Sequence, residues 1–129
     1  MSDCVFCKII EGKIPCHKIY EDKETFAFLD THPVSKGHTL VIPKMHIKNI
    51  FDAPPPLMKR LIDVVQKIAI ALKTSADGVN VFMNNEEASG QVVFHLHYHL
   101  IPRWKGDGIN TKLPHHLYQD TEMKSIAEC

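Results

Sequence analysis

Between Phe94 and Arg103 the chain reads FHLHYHLIPR, with a histidine at every second position: His95, His97 and His99. A repeat of two is the signature of a β-strand, whose successive side chains point to opposite faces. The spacing predicts a strand over 91–102 with three imidazoles on one face and Leu96, Tyr98 and Leu100 on the other. Imidazoles so placed are rooted roughly 6.5–7 Å apart, twice the rise per strand residue. At that distance they can share a hydrogen-bonded network, a metal ion or one small ligand.

The rest of the chain reads as antiparallel strands interrupted by one long helix, hence α+β. CVFCKIIE (4–11) reads as a short helix ended by Gly12, with Pro15 soon after. HKIYED (17–22) and ETFAFLD (24–30) read as a strand pair around a turn at Asp22-Lys23, and HTLVIPK (38–44) as a strand that Pro43 ends or makes an edge. Asp52 is the expected cap of a helix beginning in Pro54-Pro55-Pro56, with Leu57, Leu61, Val64, Val65, Ile68 and Leu72 on one face and Gly78 as its stop. GVNVFMN (78–84) reads as a strand and NEEASG (85–90) as a loop. From Lys105 onward polar residues and glycine predict an irregular tail.

At 129 residues the chain suits one domain with a proper core. Fifteen basic residues balance fifteen acidic ones, so neither nucleic acid nor a membrane surface is an expected partner. Asp63, Lys67 and Lys73 interrupt the longest apolar helical pattern, which argues against a membrane span. The start MSDCVFCKIIEG has no signal-peptide pattern, and a cytoplasmic location is the expectation. In a reducing compartment Cys4-x-x-Cys7 reads as metal-binding or redox-active, Cys16 and Cys129 standing apart from it.

FHLHYHLIP matches the alternating-histidine pattern of the histidine triad (HIT) family. SKGHTLVIPKMH resembles that family's second signature, and CVFCKIIEGKIP with KIYEDKETFAFLD its N-terminal run. The resemblance covers roughly residues 3–103. It implies a HIT domain over 1–104, with a five-stranded antiparallel sheet, one long and one short helix, and 105–129 packed on or near it as a tail. It also implies a homodimer whose sheets join, and hydrolysis of purine nucleotides at the α-phosphate.

By that resemblance His97 is the nucleophile on phosphorus, His99 contacts the phosphate and the leaving-group side, and His38 completes the hydrogen-bonded cluster. A neutral imidazole needs no deprotonation to attack, and a covalent nucleotidyl-histidine splits one hard step into two. Gly90-Gln91-Val92 matches the phosphate cradle, where a glycine lets backbone amides approach an oxyanion. Asp30 resembles the acid that accepts from the ribose hydroxyls, although alone it reads equally as a turn residue before THP. Phe6, Ile9, Phe28, Thr31 and Leu40 map to the walls of the base pocket, where each apolar one also suits plain core. Asn84 resembles the nucleoside phosphoramidase branch, whereas diadenosine polyphosphate hydrolases carry glutamine there.

Two positions depart from that branch. Val92 stands where its members have a serine able to protonate the leaving nitrogen, and the chain lacks the Trp-Pro-Pro-Gly ending. Cys4, Cys7, His46 and His95 make a complete donor set for a closed, tetrahedral Cys2His2 zinc site, and several HIT proteins resemble this arrangement. A structural zinc is therefore expected, with no catalytic metal or organic cofactor. The remaining histidines, His17, His32, His115 and His116, read as surface residues. Two other readings stay open: an open zinc held by His95, His97 and His99, and a nucleotide-binding or scaffold protein with incidental turnover.

Overall fold

The segment TLVIP is apolar but for its opening threonine, includes the β-branched Thr39, Val41 and Ile42, and is buried at all five positions. A strand read this way must be covered on both faces. In the computed structural model, which describes residues 3–129, it is β3 (Thr39–Pro43), the middle strand of a five-stranded antiparallel sheet. The others are β1 (Lys18–Glu21), β2 (Thr25–Leu29), β4 (Gly78–Phe82) and β5 (Tyr98–Arg103), in spatial order β1-β2-β3-β5-β4. Asp22 sets the first hairpin, its Oδ1 accepting from the amides of Glu24 and Thr25, both at 2.9 Å.

On one face lies helix α2 (Pro55–Lys73). Its buried stripe of Leu57, Leu61, Val64, Val65 and Ile68 packs on Ala27, Val41, Leu96 and Leu100. Each such buried side chain contributes about 1.5–3 kcal/mol. Leu72, expected on that stripe, is partly buried at its end. On the other face Phe26, Phe28, Leu40 and Ile42 pack with Phe6 of helix α1 (Val5–Ile10), which Cys4 caps by accepting from the Cys7 amide. A third helix, α3 (Glu122–Ala127), interrupts the tail that was expected to be irregular throughout. No helix among the described residues is long and apolar enough to cross a membrane.

Three local expectations are corrected. The extended ladder begins at Tyr98 rather than 91, so His95 and His97 precede β5. Pairing of β3 with β5 stops at Val41 and Tyr98; beyond it the Leu96 amide donates to Ile47 O (2.7 Å), and the Pro43 carbonyl accepts from the His95 ring (2.9 Å). Asp52 does not cap α2; Pro54 is the N-cap and prolines occupy the first turn. Those prolines have no N–H to leave unsatisfied, so a side-chain cap has less to do. Gly78 opens β4 instead of stopping α2, which ends at Lys73 with Thr74 as its C-cap.

Arg103 organises the start of the tail, donating to both carboxylate oxygens of Asp107 (2.8 and 2.9 Å), to Ile109 O (2.8 Å) and to Thr111 (3.2 Å). From Asn110 onward every residue is exposed. The expected 1–104 boundary falls just after β5, residues 1 and 2 lying outside the described range.

Candidate active site

Although His95 and His97 precede the ladder, the alternation of faces persists. Leu96 and Leu100 enter the α2-side core with Tyr98 against them, while the histidines turn to the α1 side. There Phe6 meets His97 edge-on at 5.2 Å and His95 at 5.7 Å between ring centroids. A cavity of about 550 Å³ opens on this side. Of the residues expected to form a site, His97, His99, Asp30, Thr31, Phe6, Ile9, Phe28, Leu40, Asn84, Gly90 and Val92 all line it.

The hydrogen bonds fix which ring nitrogen carries each proton. A carbonyl can only accept, so His97 Nδ1–H donates to His95 O (2.7 Å), leaving the Nε2 lone pair free. The Val34 amide donates to His38 Nδ1 (3.1 Å), so His38 carries its proton on Nε2 and donates it to His99 Nδ1 (2.9 Å). His99 in turn bears Nε2–H. The cluster therefore offers one ring nitrogen as an electron-pair donor, on His97, and one as a proton-bearing donor, on His99. Phe82 of β4 stacks on the His99 ring at 4.7 Å and 15°, holding its plane.

Burial favours the neutral form of all three rings. Burial pushes His97 below the ordinary histidine value, its bond to His95 O and the Asp30 charge opposing. Burial, then His97 and His38, push His99 down to about 4. His38 is lowered chiefly by burial, with the Asp30 charge opposing. Asp30 has a divided role: Oδ1 accepts from the His32 amide (2.9 Å) in a turn, and Oδ2 lies 3.7 Å from His38 Nε2. One carboxylate oxygen thus serves a turn while the other faces the histidine cluster at the cavity wall.

Gln91 is the expected cradle residue that the structure sets apart. Its side chain is buried away from the cavity, donating to Lys48 O (2.7 Å) and Val93 O (3.1 Å) and accepting from the Glu86 amide (2.8 Å). Gly90, in the left-handed region at φ 104, and Val92 form the cavity wall. Sequence reasoning missed Phe82, Cys16, His32 and Val93, which border the site or its histidines. Cys16 and His32 carry no periodic signal, and only strand register could have placed Phe82 opposite His99.

Cys4, Cys7, His46 and His95 converge beside this cavity, their ligand atoms all within 4.8 Å of one another. The separations are 3.3 Å for Cys4 Sγ to His95 Nδ1, 3.4 Å for Cys7 Sγ to His46 Nδ1 and 3.7 Å for Cys7 Sγ to His95 Nδ1. A zinc tetrahedron with ordinary Zn–S and Zn–N bonds has sulfur–nitrogen edges of roughly 3.5 Å, so the set has the right size. His95 Nε2–H donates to Pro43 O (2.9 Å), which turns the Nδ1 lone pair toward the sulfurs. Burial, then the neighbouring Cys4 sulfur, push the Cys7 thiol up to about 11, a pair of thiols that a cation would deprotonate. His97 and His99 are not part of this set, which speaks against one open metal on the three alternating histidines.

The family profile described as the HIT domain matches residues 11–106. The protein called Protein hit of Bacillus subtilis is 45% identical over 131 residues, covering 98% of this chain and 90% of its own length. Adenylylsulfatase HINT3 of Arabidopsis thaliana is 40% identical over 99% of this chain and 68% of its own. Adenosine 5'-monophosphoramidase HNT1 of Candida albicans is 39% identical over 79% and 71%. Among solved structures, SMU.412c from Streptococcus mutans superposes with a TM-score of 0.92 at 45% identity, covering 99% of this chain and 83% of that one. A Zn-bound histidine triad family protein from Mycobacterium smegmatis has a TM-score of 0.81 at 41% identity, covering 86% and 82%.

Proposed function

This chain belongs to the HIT domain family, and on that premise we propose that it hydrolyses purine nucleotide derivatives at the α-phosphate, by way of a nucleotidyl group carried on His97. The observation that carries the reading is the bond from His97 Nδ1–H to His95 O, which leaves Nε2 unprotonated on a histidine that lines the cavity. Relatives named as an adenylylsulfatase and an adenosine monophosphoramidase support an adenylyl group as the part recognised.

The Nε2 lone pair attacks phosphorus while the bond from phosphorus to the leaving nitrogen or oxygen breaks. His99 Nε2–H donates to an oxygen on phosphorus and stabilises the charge that develops there. The proton line behind His99 ends at a backbone amide, Val34 N–H, which is too weakly acidic to pass its proton on. His99 therefore acts as a neutral hydrogen-bond donor, and the leaving group takes its proton from solvent. Val92, 83% exposed and without a hydroxyl, cannot supply one. Water then attacks phosphorus, the P–Nε2 bond breaks with its electron pair returning to the ring, and the water proton goes to solvent. Asp30 accepts from the ribose, while Phe6, Ile9, Phe28, Thr31 and Leu40 enclose the base and Asn84, Gly90 and Val92 face the phosphate.

Cys4, Cys7, His46 and His95 would hold a structural zinc, supported by the edge lengths above and by the Zn-bound relative. Bound there, the ion would join α1 to the segment before β5; the reaction itself uses His97 and His99. A homodimer is supported by the free edge of β4, where Val81 and Phe82 are exposed, Val81 sharing a surface with the exposed Ile62 and Ile70 of α2. A reducing cytoplasm suits the four free thiols.

The test is rapid quench with an α-labelled adenosine phosphoramidate, followed by acid and base treatment of the protein. Label that is acid-labile and base-stable, and absent from His97→Ala, is the expected result. Label that persists in His97→Ala removes His97 as nucleophile. AMP binding without any turnover would favour a nucleotide-binding or scaffold role, and faster turnover of a diadenosine polyphosphate would name the other hydrolase branch.

A further inference from the structure

Glu86 adopts φ 77 and ψ 160, a backbone conformation left almost entirely to glycine. A glutamate stays there only if its surroundings hold it, and here they do so from three sides. Its amide donates to Gln91 Oε1 (2.8 Å). Its Oε2 accepts from Asn49 Nδ2 (2.8 Å), and its Oε1 lies 3.2 Å from Lys48 Nζ. Asn49 is itself buried, and the same Nδ2 reaches Gln91 Oε1 (3.2 Å). The Ile50 amide adds a bond to Asn85 Oδ1 (2.9 Å). The segment Lys48–Ile50 thus grips the loop at Asn85, Glu86 and Gln91.

What the grip holds is the wall of the cavity. The loop's carbonyls turn inward, Glu86 O accepting from the amides of Ser89 (3.1 Å) and Gln91 (3.2 Å). Among the described residues the amides of Val92 and Val93 donate to no protein acceptor, and both residues line the cavity beside His97 and His99. Paired amides in a loop of fixed shape suit an oxyanion.

We propose that Glu86 and Asn49 are positioning residues: they hold the loop in a strained backbone conformation that aims its amides at the phosphate of the ligand. This rests on the nucleotide reading above. The strain is spent on orientation before the ligand arrives, so its loss falls on the anionic part of the ligand and leaves the nucleoside part alone.

The test compares Glu86→Ala with Glu86→Gly by calorimetry against AMP and adenosine. Alanine keeps the Cβ penalty without the side-chain bonds; glycine removes the penalty as well. Glu86→Ala should weaken AMP about tenfold, the effect of losing roughly one good hydrogen bond, while adenosine stays within about twofold. Glu86→Gly should recover most of the AMP affinity, and Asn49→Ala should follow Glu86→Ala. Unchanged AMP affinity in Glu86→Ala, equal losses for both ligands, or no difference between alanine and glycine each overturns the proposal. If the unsubstituted protein binds neither ligand, the nucleotide reading fails instead. The clamp is then judged by amide hydrogen exchange: faster exchange over residues 84–93 in Glu86→Ala than in Glu86→Gly upholds it, and equal exchange rejects it.

Discussion

His38 Nε2 stands 2.9 Å from His99 Nδ1, and the Val34 amide 3.1 Å behind His38 decides which of them owns the proton. Because an amide can only donate, the proton lies on His38 Nε2 and His99 presents Nε2–H to the cavity. Replacing His38 by alanine frees His99 to take either tautomer. Turnover should fall about 10²-fold, at the lower end of what losing one donor to the developing charge costs, with AMP affinity nearly unchanged. Nitrogen NMR should find His99 Nδ1 unprotonated in the parent protein. A protonated Nδ1 there would refute the tautomer assignment.

The pH profile has a definite sign. Attack requires unprotonated His97, and burial holds that group below its ordinary value of 6.5. The acid limb of kcat/KM should therefore fall below pH 6.5, activity rising with pH through it to a plateau. The Asp30 carboxylate opposes the depression, so Asp30→Asn should move the limb to still lower pH. An acid limb above 6.5, or one that moves upward in Asp30→Asn, contradicts the arrangement. The same variant should weaken AMP if Asp30 accepts from the ribose.

Stability carries the same signature. His99 titrates at about 4 when folded and near 6.5 when unfolded, so the unfolded chain binds more protons between those values. Stability is then complete above 6.5 and is lost as pH falls toward 4, with His99 contributing on the order of 3 kcal/mol at most. Urea midpoints at pH 7.5 and 5, taken in a Cys4→Ser, Cys7→Ser background to remove metal release, measure it. His99→Gln should flatten the slope; an unchanged slope removes His99 as its source.

Much of this was legible in the chain because it is periodic or paired. The alternation in FHLHYHLIP named the residues on each face, and Cys4-x-x-Cys7 with His46 and His95 named a donor set that the fold brings together. The alternation did not reveal that only Tyr98 onward joins the ladder. That depends on Pro43 O and Ile47 O being taken by the His95 ring and the Leu96 amide, a competition between partners distant in sequence. The inward-facing side chain of Gln91 had no local sign either: its bonds to Lys48 O and the Glu86 amide join it to partners that only the fold brings near. The strained Glu86 was invisible for a plainer reason: glutamate gives no local sign of a glycine conformation.

The metal centre gives the most decisive measurement. Four donors with sulfur–nitrogen separations of 3.3–3.7 Å enclose a volume of zinc's size, and His95 is already turned toward it by Pro43 O. Purified protein should carry about one zinc per chain, and Cys4→Ser with Cys7→Ser should abolish it and lower the melting temperature, because a structural ion contributes directly to folding. Cobalt substituted for zinc should show an intense thiolate-to-metal band that the double variant lacks, since serine offers no sulfur. His97→Ala should leave both zinc content and the band unchanged, as His97 is outside the set. Zinc retained by the double variant and lost from His97→Ala would reverse the assignment, moving the ion from the cysteines to the alternating histidines.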